Sequence, residues 1–546
     1  MEQWALATFV APVESQLTSA QVEWTARKNE RSFGVLLASG LTLFALAVDG
    51  YHPYAEDGGL YVAGVKRLLD PALYPHGTEF VLEPMRLSLF APAVAGMVRL
   101  SHLGLPVLLL GLHLASVWVT LFAGWLLASR CWTTRRARAG AVVLLACWLA
   151  LPVAGTALFL MDPYVTARSF STPCMVLALV GVLDFTQRNG TAAESAKRRW
   201  RGILMFGGSM LLAAAVHPLM AAYALGAALM LVCVRSPRRG VRVWGTAAFA
   251  ATALGLAAWL QVIAKPESAD YIRVAMTRTY WFPAQWRWFE STGLAAPLAI
   301  LAMAAWRKPH KSGYESMQAD DTRQALARMA VALGATAWML AELFAREGTL
   351  THLLARMQPL RAFQIVYLVM VLVLGAMLGE SVLRRSAWRW SIAIVLLGGI
   401  MLGAERSAFP DSNHVELPWV APRNAWVQAF LWIRENTPKD ALFALDADYI
   451  NAPGEDAQCF RAIAERGALP DYSKDGGEAS IAPELTEAWK TGQVAQQGLS
   501  APGVTDAERV AALTPLGASW VVLEAGAETN FDCPYGNAAV RVCRLR

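Results

Sequence analysis

Charge is scarce in this chain. Only 16% of its 546 residues are Asp, Glu, Lys or Arg, against 55% hydrophobic. A soluble core cannot absorb so many long apolar runs, so a single water-soluble globule is excluded and a polytopic helical membrane protein is expected. The start, "MEQWALATFVAPVESQ", lacks a basic region, an apolar stretch and a small-residue cleavage site. A removable signal peptide is therefore not expected, and 33–48 is read as a retained first helix. There is no P-loop and no glycine-rich dinucleotide turn, which argues against a nucleotide as the bound substrate. There is no basic module interleaved with aromatics, so nucleic acid is not an expected partner. Cysteine is sparse, at seven residues. Cys131, Cys147, Cys174 and Cys233 fall in apolar segments and read as packing residues.

The apolar runs suggest about eleven spanning helices, at 33–48, 105–129, 139–161, 171–187, 203–216, 219–234, 243–264, 293–306, 325–344, 362–380 and 390–404. The run 202–234 is too long for one span of about 20 residues, and His217-Pro218 is a natural break. Alternating the loops puts 23 Lys and Arg on one side and 12 on the other, the C-terminal region excluded. The rich side includes Arg27, Lys28 and Arg31, Arg130 to Arg138, Arg188 to Arg201, Arg235 to Arg242, Arg307 to Arg323 and Arg384 to Arg389. That side is expected to be cytoplasmic. The N-terminal tail, 1–32, is then inside, the membrane domain spans 33–404, and 405–546 lies outside. "MRLSLFAPAVAGMVRL" (85–100) is apolar enough to tempt a spanning assignment. Counting it would reverse every later helix, so it is read as lying at the outer interface.

On this topology the polar residues with chemistry collect outside. The first external loop, 49–104, opens "DGYHPYAEDGGLYVAGVKRLLDPALYPHGTEF". Within it Tyr61, Val65, Leu68 and Leu69 mark one face of a short helix, stopped by Asp70-Pro71, expected to lie along the membrane surface. Asp57 at its start suits either an N-cap or a general base, with Glu56 beside it. Gly58-Gly59 suit a turn or close approach of a ligand. "MDPYVTARSFSTP" places Asp162 and Arg168 at a helix end. Arg168 there can pair with a phosphate or reach to headgroups. In "HLLARMQPLRAFQIVYLVM", Gln358, Arg361 and Gln364 are spaced to share one helical face. A charge entering a span needs a partner or water, and Arg361 is the best candidate to meet a phosphate. His52 and His217 are turn residues or ligand contacts. Tyr280, Trp281, Phe282, Trp286 and Trp288 read as an interfacial aromatic belt.

Residues 405–546 are less apolar and carry turn signals. "AWVQAFLWIREN" is an amphipathic helix ended by Thr437-Pro438, and "ALFALD", "SWVVLE" and "AAVRVCRL" have strand length and pattern. A small extracytoplasmic α/β domain is expected. A Cys533–Cys543 bridge is permitted in an oxidising compartment, as are free thiols; Cys459 lies in the same domain. Arg461, Arg466 and Lys474 are surface charges, or residues that close over a site.

An acid pair soon after the first span, an interfacial helix in a long first external loop, many further helices and an external C-terminal domain together resemble the GT-C class of membrane glycosyltransferases. More closely, "HPYAEDGG", "DPYVTARS" and "QPLRAF" resemble a group of bacterial multispanning proteins with first loops of this type, a likeness that supplies no substrate. The GT-C resemblance implies an inner-membrane enzyme that moves a sugar from a polyprenyl-phosphate or polyprenyl-diphosphate carrier to an external acceptor. It implies Asp57 or Glu56 as the catalytic acid, with Asp49 a weaker match. It also implies a divalent metal as a possible cofactor, with Asp162 its weak ligand candidate. The other expected partners are membrane lipids. Rival readings are a transporter, which should show repeated halves that are not found, and a non-catalytic scaffold.

Overall fold

A computed structural model of the chain describes residues 29–187, 191–306, 314–349 and 351–545. The N-terminal tail up to residue 28, with Arg27 and Lys28, lies outside the described residues. So do Arg188, Arg307, Lys308 and Lys311.

The chain is mostly helical. Among the described residues, eight helices are long and apolar enough to cross a membrane: Asn29–Asp49, Leu105–Cys131, Ala167–Thr186, Arg239–Ile263, Trp288–Trp306, Ser316–Phe344, Leu353–Leu383 and Ala387–Ala408. The number rises to nine if Thr78–Met85 and Phe90–Ser101, bent by 94°, count as one span. Each of the eleven sequence segments contains a helix, but three fall short of the test. Ala192–Val216 carries too much charge in its first half, and Pro218–Val234 has only 17 residues. These two are broken at His217, where Pro218 offers no N–H to continue the helix. The third, 139–161, is corrected outright. Its helix ends at Cys147, and a short hairpin follows, with Val153 N–H donating to the Leu158 carbonyl and Leu160 N–H to the Leu151 carbonyl. Pro152, an isolated bridge to Phe159 and the turn at 154–157 make this apolar stretch a loop.

Leu353–Leu383 is the central element, 83% buried across its apolar window, while Arg239–Ile263 is only 6% buried and forms the rim. The central helix meets Arg135–Cys147 at backbone distance. A Cβ on Gly375 would stand 2.4 Å from the Gly140 carbonyl oxygen, so glycine is required on both sides of the crossing.

The C-terminal part carries a mixed five-stranded sheet in the order β2-β1-β3-β5-β4. The strands are β1 (Leu442–Ala444), β2 (Gly467–Ala468), β3 (Trp520–Glu524), β4 (Tyr535–Gly536) and β5 (Val540–Arg544). β1 pairs in parallel with β2 and β3, and β5 runs antiparallel to β3 and β4. The helix Ala425–Asn436 buries Trp426, Phe430 and Ile433 in the core with Phe443, Phe460 and Val542. Cys533 and Cys543 are joined in a disulfide; Cys459 is free and buried.

The first-loop helix, Glu56–Leu69, begins and ends within a residue of its sequence pattern. It is not laid on an open surface. Val62 and Val65 pack with Phe90, Val94, Cys459 and Ala462, so the helix is sandwiched between Phe90–Ser101 and the C-terminal domain. Gly59 permits this contact: a Cβ there would lie 2.1 Å from Cys459 Cβ and 2.4 Å from the Tyr54 carbonyl oxygen. Lys66 seals it by donating to the Ala462 carbonyl at 2.7 Å and to Glu465 at 2.6 Å.

Candidate active site

Glu56 and Asp57 open the loop helix, and the N-terminal end of a helix favours carboxylates. Neither caps it: Ala55 holds the cap position, and no side chain accepts a capping hydrogen bond there. Glu56 has a positive φ of 52°, unusual for a residue with a Cβ. The backbone is held in this conformation by Glu56 N–H donating to the Ala457 carbonyl at 2.8 Å. The acids are thus turned away from the helix backbone toward three cations.

The first cation is Arg168, in the opening turn of Ala167–Thr186. That helix is started by a capping box between Thr166 and Ser169. A cation at a helix N-terminus is unfavourable alone. Here Nη2 of Arg168 reaches Asp57 Oδ2 at 2.9 Å and Asp162 Oδ2 at 3.0 Å, and Nε donates to Asp162 at 3.2 Å. Asp162 also accepts from the Thr166 hydroxyl. Arg168 and Asp162 are buried, whereas the Asp57 side chain remains 32% exposed.

The second cation is Lys474, which comes from the C-terminal domain. Its ammonium pairs with Glu56 Oε2 and stands 3.2 Å from Asp57 Oδ1. The strap that carries it is fixed from both sides. Asp471 accepts from Lys474 N–H at 2.6 Å, and Asp475 accepts from Asp471 N–H at 2.8 Å. Arg278, from the loop before Trp288–Trp306, donates to the carbonyls of Ser473 at 2.5 Å and Tyr472 at 2.9 Å. Tyr271 and Arg356 hold the carbonyls of Ser480 and Ile481.

The third is Arg361, close enough to add to the pull on Asp57. It does not lie on a regular helix with Gln358 and Gln364, as the spacing predicts. Gln358 takes a left-handed conformation, φ 49°, a 3-10 turn follows, and the helix starts only at Phe363. Gln364 consequently turns inward and donates to the carbonyls of Phe159 and Leu160 and to Thr172. Arg361 and Gln358 line a small, narrow recess with Thr156, Tyr280 and Trp281. Arg361 Nε and the Gln358 amide oxygen are buried there with no hydrogen-bond partner among the described residues.

The electrostatics follow from these contacts. Burial would raise the Asp57 carboxyl, but Lys474 and Arg168 outweigh it and hold the group well below the usual carboxylate range. Burial would lower Lys474; Glu56 and Asp57 instead push it well above an ordinary lysine. Glu478, one helical turn beyond Lys474, shows the reverse: burial and then the charge of Asp57 raise it far above its ordinary value. His217 faces the two arginines, and burial with their charge pushes it down to about 3, so it is neutral.

The other candidates go elsewhere. His52 Nδ1 pairs with Glu416 at 2.9 Å, and its ring stacks on Phe409. Asp49 is buried, and among the described residues no ion pair ties it to the cluster. Asp162 is committed to Arg168. Among the described residues no group of three His, Cys, Asp or Glu is placed to hold a metal, so the suggested Asp162 metal site is not assembled. Arg461 and Arg466 are buried within the C-terminal domain. Arg461 pairs with Asp475 at 2.6 Å, and Arg466 donates to the carbonyls of Arg434 and Thr437. The aromatic belt is split: Trp281 and Phe282 are buried, while Trp288 is 80% exposed. Sequence reasoning missed Arg278, Tyr164 and Glu478. Tyr164 packs against Gly58, where a Cβ would lie 2.9 Å away, and "DPYVTARS" contained the signal for it.

No protein-family model matches the chain, and no curated protein matches it by sequence. Among solved structures it is similar to the oligosaccharyltransferase AglB from Archaeoglobus fulgidus, solved with an inhibitory peptide and a dolichol-phosphate. The identity is 12% and the TM-score 0.40, over 90% of this chain and 69% of that one. It is also similar to the arabinofuranosyltransferase AftD from Mycobacteria, at 16% identity and TM-score 0.44, covering 94% of this chain but 41% of that one. ArnT from Cupriavidus metallidurans, solved with undecaprenyl phosphate, gives 12% identity and TM-score 0.38, over 94% and 98% of the two chains. Scores of this size do not establish a shared fold.

Proposed function

We propose that this chain is a glycosyltransferase of the inner membrane of a bacterium, with its site facing outward, that moves a sugar from a polyprenyl-linked phosphate donor to an external acceptor. One observation carries the reading. An ionised, partly exposed carboxylate, Asp57, paired with Arg168, lies within electrostatic reach of Arg361, a cation whose side chain has no partner among the described residues, where apolar spans meet the C-terminal domain. The GT-C resemblance of the first loop supplies the reaction type.

In the step, Asp57 accepts the proton of an acceptor hydroxyl as its oxygen attacks the anomeric carbon. The bond from that carbon to the phosphate oxygen breaks, and the polyprenyl phosphate leaves with the electron pair. Arg361, with Arg168 behind it, stabilises the charge that develops on the leaving phosphate. A strongly depressed carboxylate is a weak base at rest. Acceptor entry at Asp57 Oδ1 displaces Lys474 and restores basicity when it is needed.

A cell whose only copy carries Asp57→Asn tests this. The polyprenyl-linked sugar that serves as donor is expected to accumulate several-fold in its membranes, with the protein present at normal level. An unchanged lipid-linked sugar pool rejects the transferase and favours the scaffold reading.

A further inference from the structure

The proposed reaction leaves two donor classes open: a phosphodiester carrying one negative charge and a diphosphate carrying two. The charges around the site separate them. Every cation there but one is committed. Arg168 is shared by Asp57 and Asp162, and Lys474 by Glu56 and Asp57. Arg461 is held by Asp475 and Arg356 by Glu267. Arg278 spends its donors on the carbonyls of Tyr472 and Ser473 and on Thr277. Arg361 alone has no carboxylate or hydrogen-bond partner for its side chain among the described residues, and its Nε is buried. Neutral groups complete the surroundings: His217, and Tyr280 and Trp281 on the recess wall.

One free guanidinium matches one phosphate charge in a bidentate pair. A second phosphate charge would find no free cation and would face Glu56, Asp57 and Asp162. A diphosphate ordinarily recruits a divalent ion held by one or two carboxylates. The carboxylates here are already neutralised by Arg168 and Lys474, and adding a metal ion would place it against those cations. Resting on the glycosyltransferase reading, we infer that the donor is a polyprenyl phosphate monoanion, the phosphodiester of a sugar, bound through Arg361, and that polyprenyl diphosphate sugars are rejected by charge.

The test uses the full-length protein in detergent and two sugar-free probes with the same prenyl chain: a prenyl methyl phosphate, with one charge, and the matching prenyl methyl diphosphate, with two. Affinities are measured at neutral pH with a chelator and again with magnesium. The phosphodiester is expected to bind at least about tenfold tighter in both conditions. Arg361→Gln should weaken it by about tenfold or more without altering the unfolding temperature. Asp57→Asn, which removes one competing negative charge, should narrow the gap between the two probes. Tighter binding of the diphosphate, with or without magnesium, overturns this inference and leaves the transferase reading standing. Binding of neither probe above a neutral prenyl alcohol overturns both.

Discussion

Arg168 is the residue on which the site's stability turns. It is buried and shared by two carboxylates. Arg168→Gln would leave Asp57 and Asp162 facing each other without their cation, at a cost of about 3–5 kcal/mol. Asp57→Asn leaves Arg168 with Asp162 and Lys474 with Glu56, and should cost about 1 kcal/mol or less. Unfolding in detergent measures both; equal effects would show that Arg168 is not the keystone. Asp471 makes a pH prediction. Burial and the neighbouring Asp475 raise it to about 7. A carboxyl raised in the folded state binds its proton more tightly there than when unfolded. Its contribution is therefore full below about pH 4 and is lost as pH rises through 7. The unfolding temperature should fall between pH 5 and pH 8, and Asp471→Asn, which can still accept from Lys474 N–H, should flatten that fall. A variant with the same slope as the parent contradicts the assignment.

At the scale of elements, the loop helix is a wedge between the membrane part and the C-terminal domain. Gly59→Ala would force a Cβ into Cys459 and the Tyr54 carbonyl, an overpacking cost of about 1–3 kcal/mol. It would also pull Asp57 away from Lys474. A cysteine pair at 56 and 474 should cross-link readily in the parent sequence and poorly with Gly59→Ala; equal cross-linking would mean that the wedge does not set the contact. The helix itself was legible because Tyr61, Val65 and Leu68 follow helical spacing and Asp70-Pro71 ends it. The hairpin at 148–161 was not, because an apolar run long enough for a span conceals a Pro and tight-turn positions that only tertiary packing exploits. Lys474 was visible only as one polar residue in a polar stretch. Its partners lie 417 and 418 residues away in sequence, and no local pattern encodes such a pairing. Arg361 stood out in the sequence as a charge entering a span, but its helical alignment with Gln358 and Gln364 fails. Pro359 disfavours a helical conformation at the residue before it, and Gln358 turns left-handed there, so the helix cannot run back through Gln358.

For the whole molecule, the site is completed only when the C-terminal domain docks, since Lys474 and Glu478 come from it. From the distribution of Lys and Arg we propose that this domain lies outside. An impermeant thiol reagent applied to intact cells should therefore label Glu435→Cys and not Arg385→Cys in a chain whose own free cysteines are replaced; the opposite pattern would invert the topology and remove the site from the lipid-linked donor. The measurement closest to the central claim is release of polyprenyl phosphate by the purified protein. The protein is supplied with lipid-linked sugars extracted from the membranes of its own host and with envelope material as acceptor, and product is followed by mass spectrometry. The account predicts release by the parent protein and at least about a hundredfold less by Asp57→Asn, the range for loss of a general base. Equal release by the two would contradict it.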